Sequence, residues 1–157
     1  MDDDPLIVTV DPRGPEAREA LTQYLAEIVS RIDGIALDAS DADDVGDYTE
    51  PGGRFLLVVR GDAVIGCGAV RSLAPDVGEL RRMWIRPDAR RAGLGSRLIS
   101  ALVAQSRALG HTTLLLDTNA ALTEALALYR KHGFEPVERY NDNPDATHFL
   151  RKTLGAG

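Results

Sequence analysis

The chain has one cysteine, Cys67, so no internal disulfide forms and no cysteine-based zinc cage can be built. Nor does it have an apolar run near the roughly 20 residues that a membrane-spanning helix needs. A composition of 44% hydrophobic and 27% charged residues is that of an ordinary soluble protein. The opening residues, MDDDPLIVTV, lack the basic head and long apolar core of a secretory signal. A reducing cytoplasm is therefore the expected setting, with no membrane partner. The three histidines, His111, His132 and His148, have no paired-ligand spacing, so no metal site is expected and they read as surface or packing residues. Internal repeats and low-complexity stretches are absent too. At 157 residues the chain suffices for one core but seldom for two, which sets the expectation of a single domain.

What charge there is divides unevenly. Residues 1–50 hold 14 acidic and 3 basic side chains, a balance of −11, whereas residues 51–157 hold 10 acidic and 15 basic, a balance of +5. The acidic half repels a nucleic-acid backbone, so no nucleic-acid partner is expected, and it attracts a small cationic amine. The basic half suits an anion such as a nucleotide phosphate. The plainer reading of Asp2 to Asp4 and of the run from Asp38 to Asp47 is a solvated tail and loop.

Periodicity orders the chain. Residues 7–10 read as a short strand, Pro12 and Gly14 as a break, and residues 15–32 as a helix with Leu21, Leu25, Ile28 and Ile32 as its buried stripe. Residues 38–53 lose all period and read as a loop or short helix. Two β-prone runs, 55–59 and 64–71, flank the hairpin signal Gly61-Asp62, and a third strand at 79–85 stops at Pro87, which cannot donate to a ladder. The period then changes to helical. Leu94, Leu98, Ile99, Leu102 and Val103 form one apolar face closed by Gly110, and Leu122, Ala125, Leu126 and Tyr129 form another that ends at Gly133, with a buried strand at 112–116 between them. Strand, helix, strand, helix over 79–133 calls for a right-handed crossover between parallel neighbours in a sheet whose earlier strands are antiparallel. Residues 134–137 and 147–154 read as closing strands around the turn-rich segment 141–145.

The segment MWIRPDARRAGLGSRLI carries the chemistry. A strand ends at Pro87 and a helix begins near Gly93 to Gly95. The first turn of a helix leaves backbone N–H groups unpaired, and glycines let an anion approach them. Arg90 and Arg91 add charge-assisted donors and Ser96 a hydroxyl, so a diphosphate fits; an ordinary strand-to-helix turn is the competing reading. A P-loop is excluded because no lysine follows the last glycine, and a dinucleotide fingerprint because Leu98 stands where its third glycine belongs.

Arg90, Gly93 and Gly95 resemble the phosphate-turn motif of the GCN5-related N-acetyltransferase (GNAT) superfamily, Arg or Gln followed by Gly-x-Gly at fixed spacing, and LYRKHGF resembles its closing Leu-Tyr-x-x-x-Gly-Phe motif. Ile85 and Pro87 also match the strand end that precedes the turn, so the resemblance spans residues 55–137. It implies an α/β (α+β) GNAT fold: a mixed central sheet of six or seven strands, antiparallel at its N-terminal side, with a splayed parallel pair and helices on both faces. It also implies an acyl-CoA-dependent N-acetyltransferase that takes acetyl-CoA as cosubstrate, needs no metal, and acetylates the primary amine of a small molecule. Family members differ in oligomeric state, homodimers among them. A protein N-terminal or lysine acetyltransferase is a second acceptor class, and a non-catalytic acyl-CoA sensor is the reading from a different class.

By the same resemblance, the backbone of Met83 and Ile85 pairs with the pantetheine arm, Arg90 belongs to the phosphate motif, and the backbone of Arg91, Gly93, Gly95 and Ser96 holds the diphosphate. Tyr129 is expected to protonate the departing thiolate and Glu79 to take the amine's proton. Their bland alternatives are a core aromatic and a structural carboxylate paired with Arg81 or Arg82. Asn119 either contacts pantetheine or caps the helix that follows it. His148 and Tyr140 are candidates for the amine pocket, and Trp84, which alternates away from Met83 and Ile85, reads as core packing.

Overall fold

The computed structural model describes residues 4–32, 46–90 and 93–155. In chain order the elements are β1 (Leu6–Val10), α1 (Pro15–Arg31), β2 (Gly53–Arg60), β3 (Ala63–Ala74), β4 (Val77–Ile85), α2 (Leu94–Ala108), β5 (Thr113–Thr118), α3 (Thr123–Lys131), β6 (Glu135–Pro136) and β7 (His148–Thr153). The seven strands form one sheet in the order β1-β2-β3-β4-β5-β7-β6. Only β4 and β5 run parallel; every other neighbouring pair is antiparallel. This is the mixed sheet that the sequence predicts, with its parallel pair in the middle.

Each face of the sheet is covered by a different helix set. Ala17, Ala20 and Leu21 of α1 pack with Phe55, Leu57, Cys67 and Trp84 on one face. On the other, the expected stripe of α2 meets Leu126 and Tyr129 of α3 and Leu80, Leu114 and Leu116 of the central strands. Burying each large apolar side chain contributes about 1.5–3 kcal/mol, and all five stripe residues of α2 are buried on this face. In α1, Leu21 and Ile28 are buried as the period predicts, whereas Leu25 and Ile32 are only partly covered.

Two expectations sharpen. The strand expected at 134–137 narrows to Glu135–Pro136, since Pro136 has no N–H and Phe134 turns into the core. Within the aperiodic stretch, residues 46–48 form a single 3-10 turn that buries Tyr48, and the acidic run from Asp38 lies largely outside the described residues. Among the described residues no helix is long and apolar enough to cross a membrane, and no group of three or more His, Cys, Asp or Glu side chains is placed to hold a metal ion.

His111 is a packing residue with a defined task. Its Nδ1 lies 2.7 Å from Ser106 Oγ at the end of α2 and its Nε2 lies 2.7 Å from Ser72 Oγ on β3, so one buried ring ties a helix to a strand. Burial lowers its pKa from the usual 6.5, and Asp76 opposes the shift more weakly. The unfolded chain therefore takes up the proton first as pH falls. The ring's contribution is complete above about pH 6.5 and is lost as pH falls through the depressed folded value. Urea unfolding at about pH 7.5 and 5.5 should show stability falling with acid in the parent protein and a shallower fall in His111→Gln; equal slopes would assign the acid sensitivity to other groups, His132 first, whose pKa burial also lowers.

Candidate active site

Parallel pairing of β4 with β5 covers only three positions, Val77 to Glu79 against Thr113 to Leu115. Beyond them β5 follows β7 out to Thr118, while β4 stays with β3 out to Ile85. The two strands part, and among the described residues nothing pairs with residues 80–85 on the β5 side. A cavity of about 430 Å³ occupies the opening. Tyr24 and Ile28 line it from the α1 face, and Ala125 and Tyr129 from the α3 face, so it passes through the sheet. A strand edge with unused N–H and C=O groups is a template for an extended ligand, and Met83 lies on that edge and lines the cavity.

The edge is shaped by a bulge that no glycine or proline announces. Opposite Gly68 of β3 the register slips, so that Arg82 and Met83 together face one residue. Arg82 takes φ 57°, the left-handed region that side chains with a Cβ rarely enter. The extra residue inverts the alternation: Leu80 and Trp84, four apart and hence on one face of a regular strand, belong to opposite cores. Trp84 therefore packs against α1 while Met83 and Ile85 point to α2. The buried Cys67 thiol, its pKa pushed up to about 12 by burial, donates to the Arg82 carbonyl at 3.2 Å and helps hold the bulge.

Glu79, the last residue paired with β5, is 1% exposed. Its Oε1 accepts from Arg71 Nε at 2.9 Å and Arg81 Nη1 at 3.3 Å, with Arg71 Nη2 at 2.8 Å, and its Oε2 accepts from the Tyr140 hydroxyl at 2.6 Å. Arg71 continues to Asp47, and Arg81 Nε donates to the Tyr48 hydroxyl. This network ties β3, β4, the 46–50 turn and the segment before β7 around one buried carboxylate. Glu79 itself does not border the cavity, and donors already occupy both of its oxygens. The geometry therefore favours the structural alternative, with Arg71 as a partner the sequence did not point to.

Tyr129 projects from α3 to the cavity, packed edge-on against Phe134 at 5.8 Å, and its hydroxyl bonds to none of the described residues. Burial first, then the nearby Tyr24 and Asp117, push its pKa above the usual 10, so it stays protonated.

The glycine-rich turn leads from a 3-10 turn at Pro87–Ala89 into α2. Gly93 is its N-cap at φ 75°, and among the described residues no side chain caps the helix, so its first-turn N–H groups have no capping partner there. Gly95 serves a different purpose: a Cβ there would stand 2.5 Å from Leu128 Cδ2, so its lack of a side chain lets α2 approach α3. Arg90 turns away from the helix start. Its Nε donates to the Ile85 carbonyl at 2.9 Å and its Nη2 to Glu27 of α1 at 2.6 and 2.7 Å, which braces the end of β4. Ser96 Oγ lies 2.9 Å from His132 Nε2. Arg91 lies outside the described residues.

Asn119 borders the cavity with both ends of its amide engaged. Nδ2 donates to the Asp145 carbonyl at 2.7 Å and Oδ1 accepts from the Ala121 N–H at 2.8 Å, so it pins the 141–147 segment and shapes the turn ahead of α3, whose N-cap is Leu122. Tyr140 and His148 do not border the cavity; Tyr140 serves Glu79, and His148 Nδ1 pairs with Thr147 Oγ1 at 2.8 Å. The wall's charges were the feature least visible in the sequence. Arg71, Arg81 and Arg82 stand on one side, Asp117, Asp142 and Asp145 on the other. All six come from the basic half, and α1 presents apolar and aromatic side chains there rather than acidic ones. The one signal was Arg81-Arg82 itself, since two adjacent charges inside a buried strand fit a bulge better than a strict alternation.

The profile of the Acetyltransferase (GNAT) family matches residues 18–134. The chain is 32% identical over 148 residues to the "IAA acetyltransferase" of Azospirillum brasilense, covering 88% of this chain and 96% of that protein. It is 38% identical over 90 residues to the "Amino-acid acetyltransferase" of Azotobacter vinelandii, covering 55% of this chain but 20% of that protein. Among solved structures it resembles a GNAT-family acetyltransferase from Staphylococcus aureus Mu50 (TM-score 0.84, 18% identity, 97% of this chain and 100% of that one). It also resembles one from Elizabethkingia anophelis with acetyl-CoA bound (TM-score 0.69, 17% identity, 97% and 99%).

Tyr140→Phe deletes a hydrogen bond to a buried charge and should cost about 1.5–3 kcal/mol of stability, read from urea denaturation. An unchanged midpoint would remove Tyr140 from the network.

Proposed function

This chain belongs to the acetyltransferase (GNAT) family, and from that membership we propose that it transfers the acetyl group of acetyl-CoA directly to the primary amine of a small molecule, both substrates being bound together. The observation that carries the reading is the cavity at the splay, lined both by the edge of β4 beyond its pairing with β5 and by Tyr129, whose hydroxyl stays protonated and bonds to none of the described residues. A sensor module would have no use for that hydroxyl.

Acetyl-CoA supplies the activated acetyl thioester. The backbone of Met83 and Ile85 extends the sheet onto its pantetheine arm, and the first-turn amides at Gly93, Gly95 and Ser96 receive the diphosphate. A backbone N–H within residues 83–85 steadies the negative charge that develops on the carbonyl oxygen when the amine's lone pair forms the C–N bond. Tyr129 gives its proton to the sulfur as the C–S bond breaks, and the amine's surplus proton leaves through cavity water and restores the hydroxyl. Products are the amide and free coenzyme A.

Three side chains act indirectly in this scheme. Arg90 fixes the end of β4, Asn119 holds the 141–147 segment against the cavity, and Glu79 is a positioning residue that sets where β4 and β5 part. A small acceptor is supported by the cavity's volume, at the low end of the range for small-molecule sites, and by the printed name of the amino-acid acetyltransferase relative. Proteins and peptides are the competing acceptor class.

Thiol release from acetyl-CoA in the presence of a panel of amines is the direct test. Tyr129→Phe should lower kcat about 100-fold with the KM for acetyl-CoA nearly unchanged; wild-type turnover in that variant would end the acid assignment. Glu79→Gln should lower stability while keeping the shape of the pH profile, and loss of the profile's acidic limb would instead make Glu79 the base.

A further inference from the structure

Glu79 is committed to two arginines and Tyr140 and does not border the cavity, so the proton of an incoming ammonium ion must go elsewhere. Asp117 borders the cavity and lies close enough to Tyr129 to raise that hydroxyl's pKa. Leu114 and Leu116 of β5 face the α2 and α3 core, and alternation therefore turns Asp117 to the other side of the sheet, toward α1. Its Oδ2 accepts from Asn141 Nδ2 at 2.6 Å, and its Oδ1 more weakly from Asn143 Nδ2 at 3.4 Å. The orientation of both amides is fixed independently. Asn141 Oδ1 accepts from the Asn143 N–H and Asn143 Oδ1 from the Asp145 N–H, each at 3.0 Å, so the Nδ2 ends are the ones left for the carboxylate. Arg139 donates to the carbonyls of Asn141, Asn143 and Ala146, and Asn119 to that of Asp145, which holds the segment in place. Two carboxylates near the splay thus receive opposite treatment. Arginines answer Glu79, whereas among the described residues only neutral amides bond to Asp117. Those amides use about two of its four acceptor positions and carry no charge to cancel its own. The arginines on the cavity lining are engaged elsewhere, Arg71 and Arg81 with Glu79 and Arg82 over the Tyr24 ring.

We propose that Asp117 is the catalytic base: it receives the acceptor as an ammonium ion and takes one proton from it before attack. This rests on the acetyltransferase reading above and names the group that prepares the acceptor at that site. A carboxylate held by neutral donors beside a partly dry cavity attracts a cation, and an alkylamine arrives at neutral pH as one. One N–H bond breaks and an O–H bond forms on Asp117, which leaves the nitrogen lone pair free for the acetyl carbon. The C–N bond then forms, Tyr129 protonates the sulfur as the C–S bond breaks, and the surplus proton on nitrogen restores Tyr129 through water. Asp117 returns its own proton to solvent, so one proton is released for each amide formed. Asn141 and Asn143 are positioning residues, since they aim the carboxylate without touching the acceptor.

The experiment follows thiol release with ethylamine, 2-phenylethylamine and their 2,2-difluoro analogues, which keep the shape but are far less basic, so that much more of each is unprotonated at neutral pH. At about pH 7.5, Asp117→Asn should lower kcat/KM about 100-fold for the two basic amines and less than about tenfold for the fluorinated ones. Raising the pH to about 9.5 should restore much of the rate lost in the variant, because solution then supplies neutral amine. The KM for acetyl-CoA should stay the same. The ratio between acceptors in one preparation does not depend on the fraction folded, so a partly unfolded variant still gives the answer. Equal losses for both kinds of amine, or a loss that high pH leaves intact, would overturn the assignment while leaving acetyl transfer in place. So would the same contrast arising in Asp142→Asn or Asp145→Asn and not in Asp117→Asn. If no acceptor releases thiol although calorimetry shows acetyl-CoA binding, the acetyltransferase reading fails and takes this one with it.

Discussion

Everything in this site depends on β4 letting go of β5 after three residue pairs. A parallel pair normally continues until a strand ends, because each unpaired N–H and C=O in a buried sheet is costly. Here β5 finds β7 and β4 finds β3, so each keeps one partner while the edges between them open. Glu79 stands at the point of separation, and its carboxylate gathers arginines from β3 and β4 and a tyrosine from the segment leading to β7. Those are the elements on the two sides of the opening. One buried charge thus fixes the width of the gap from both banks.

The bulge sets what the gap contains. By adding one residue to β4, it turns Met83 and Ile85 toward the α2 core, Trp84 toward α1, and leaves the Arg81-Arg82 pair at the cavity wall. The left-handed Arg82 is the local cost, offset by the Cys67 thiol on its carbonyl and by the aromatic ring of Tyr24 beneath its guanidinium. Beyond the gap, Arg90 fastens the last carbonyl of β4 and a glutamate of α1 in one grip, which braces the end of the strand.

Most of the architecture was legible in the sequence because it rests on periodicity. The α2 stripe, the Gly61-Asp62 hairpin and the change from period two to period 3.6 after Pro87 are local signals, and each placed its element within a few residues. The pairing partners of Glu79 were not legible, because Arg71 and Tyr140 reach it only through strand register and a long segment, neither of which composition encodes. Gly95 carried a double meaning: it sits in a phosphate-binding motif, yet its immediate need is room for Leu128. Arg90 shows the same ambiguity, since a basic residue beside an anion turn can equally brace the protein. Tyr129 was singled out by motif, and the structure sets it both in the core against Phe134 and on the lining of the cavity.

In the proposed reading, the edge of β4 beyond its pairing with β5 and the first turn of α2 together grip one extended cosubstrate. Amide hydrogen exchange with and without acetyl-CoA reads this at the residues concerned. Exchange should slow within residues 80–85 and 93–97, and little in β1, β2 or β6. Saturating acetyl-CoA with no added protection in those two segments, or protection confined to some other face of the sheet, would contradict the account.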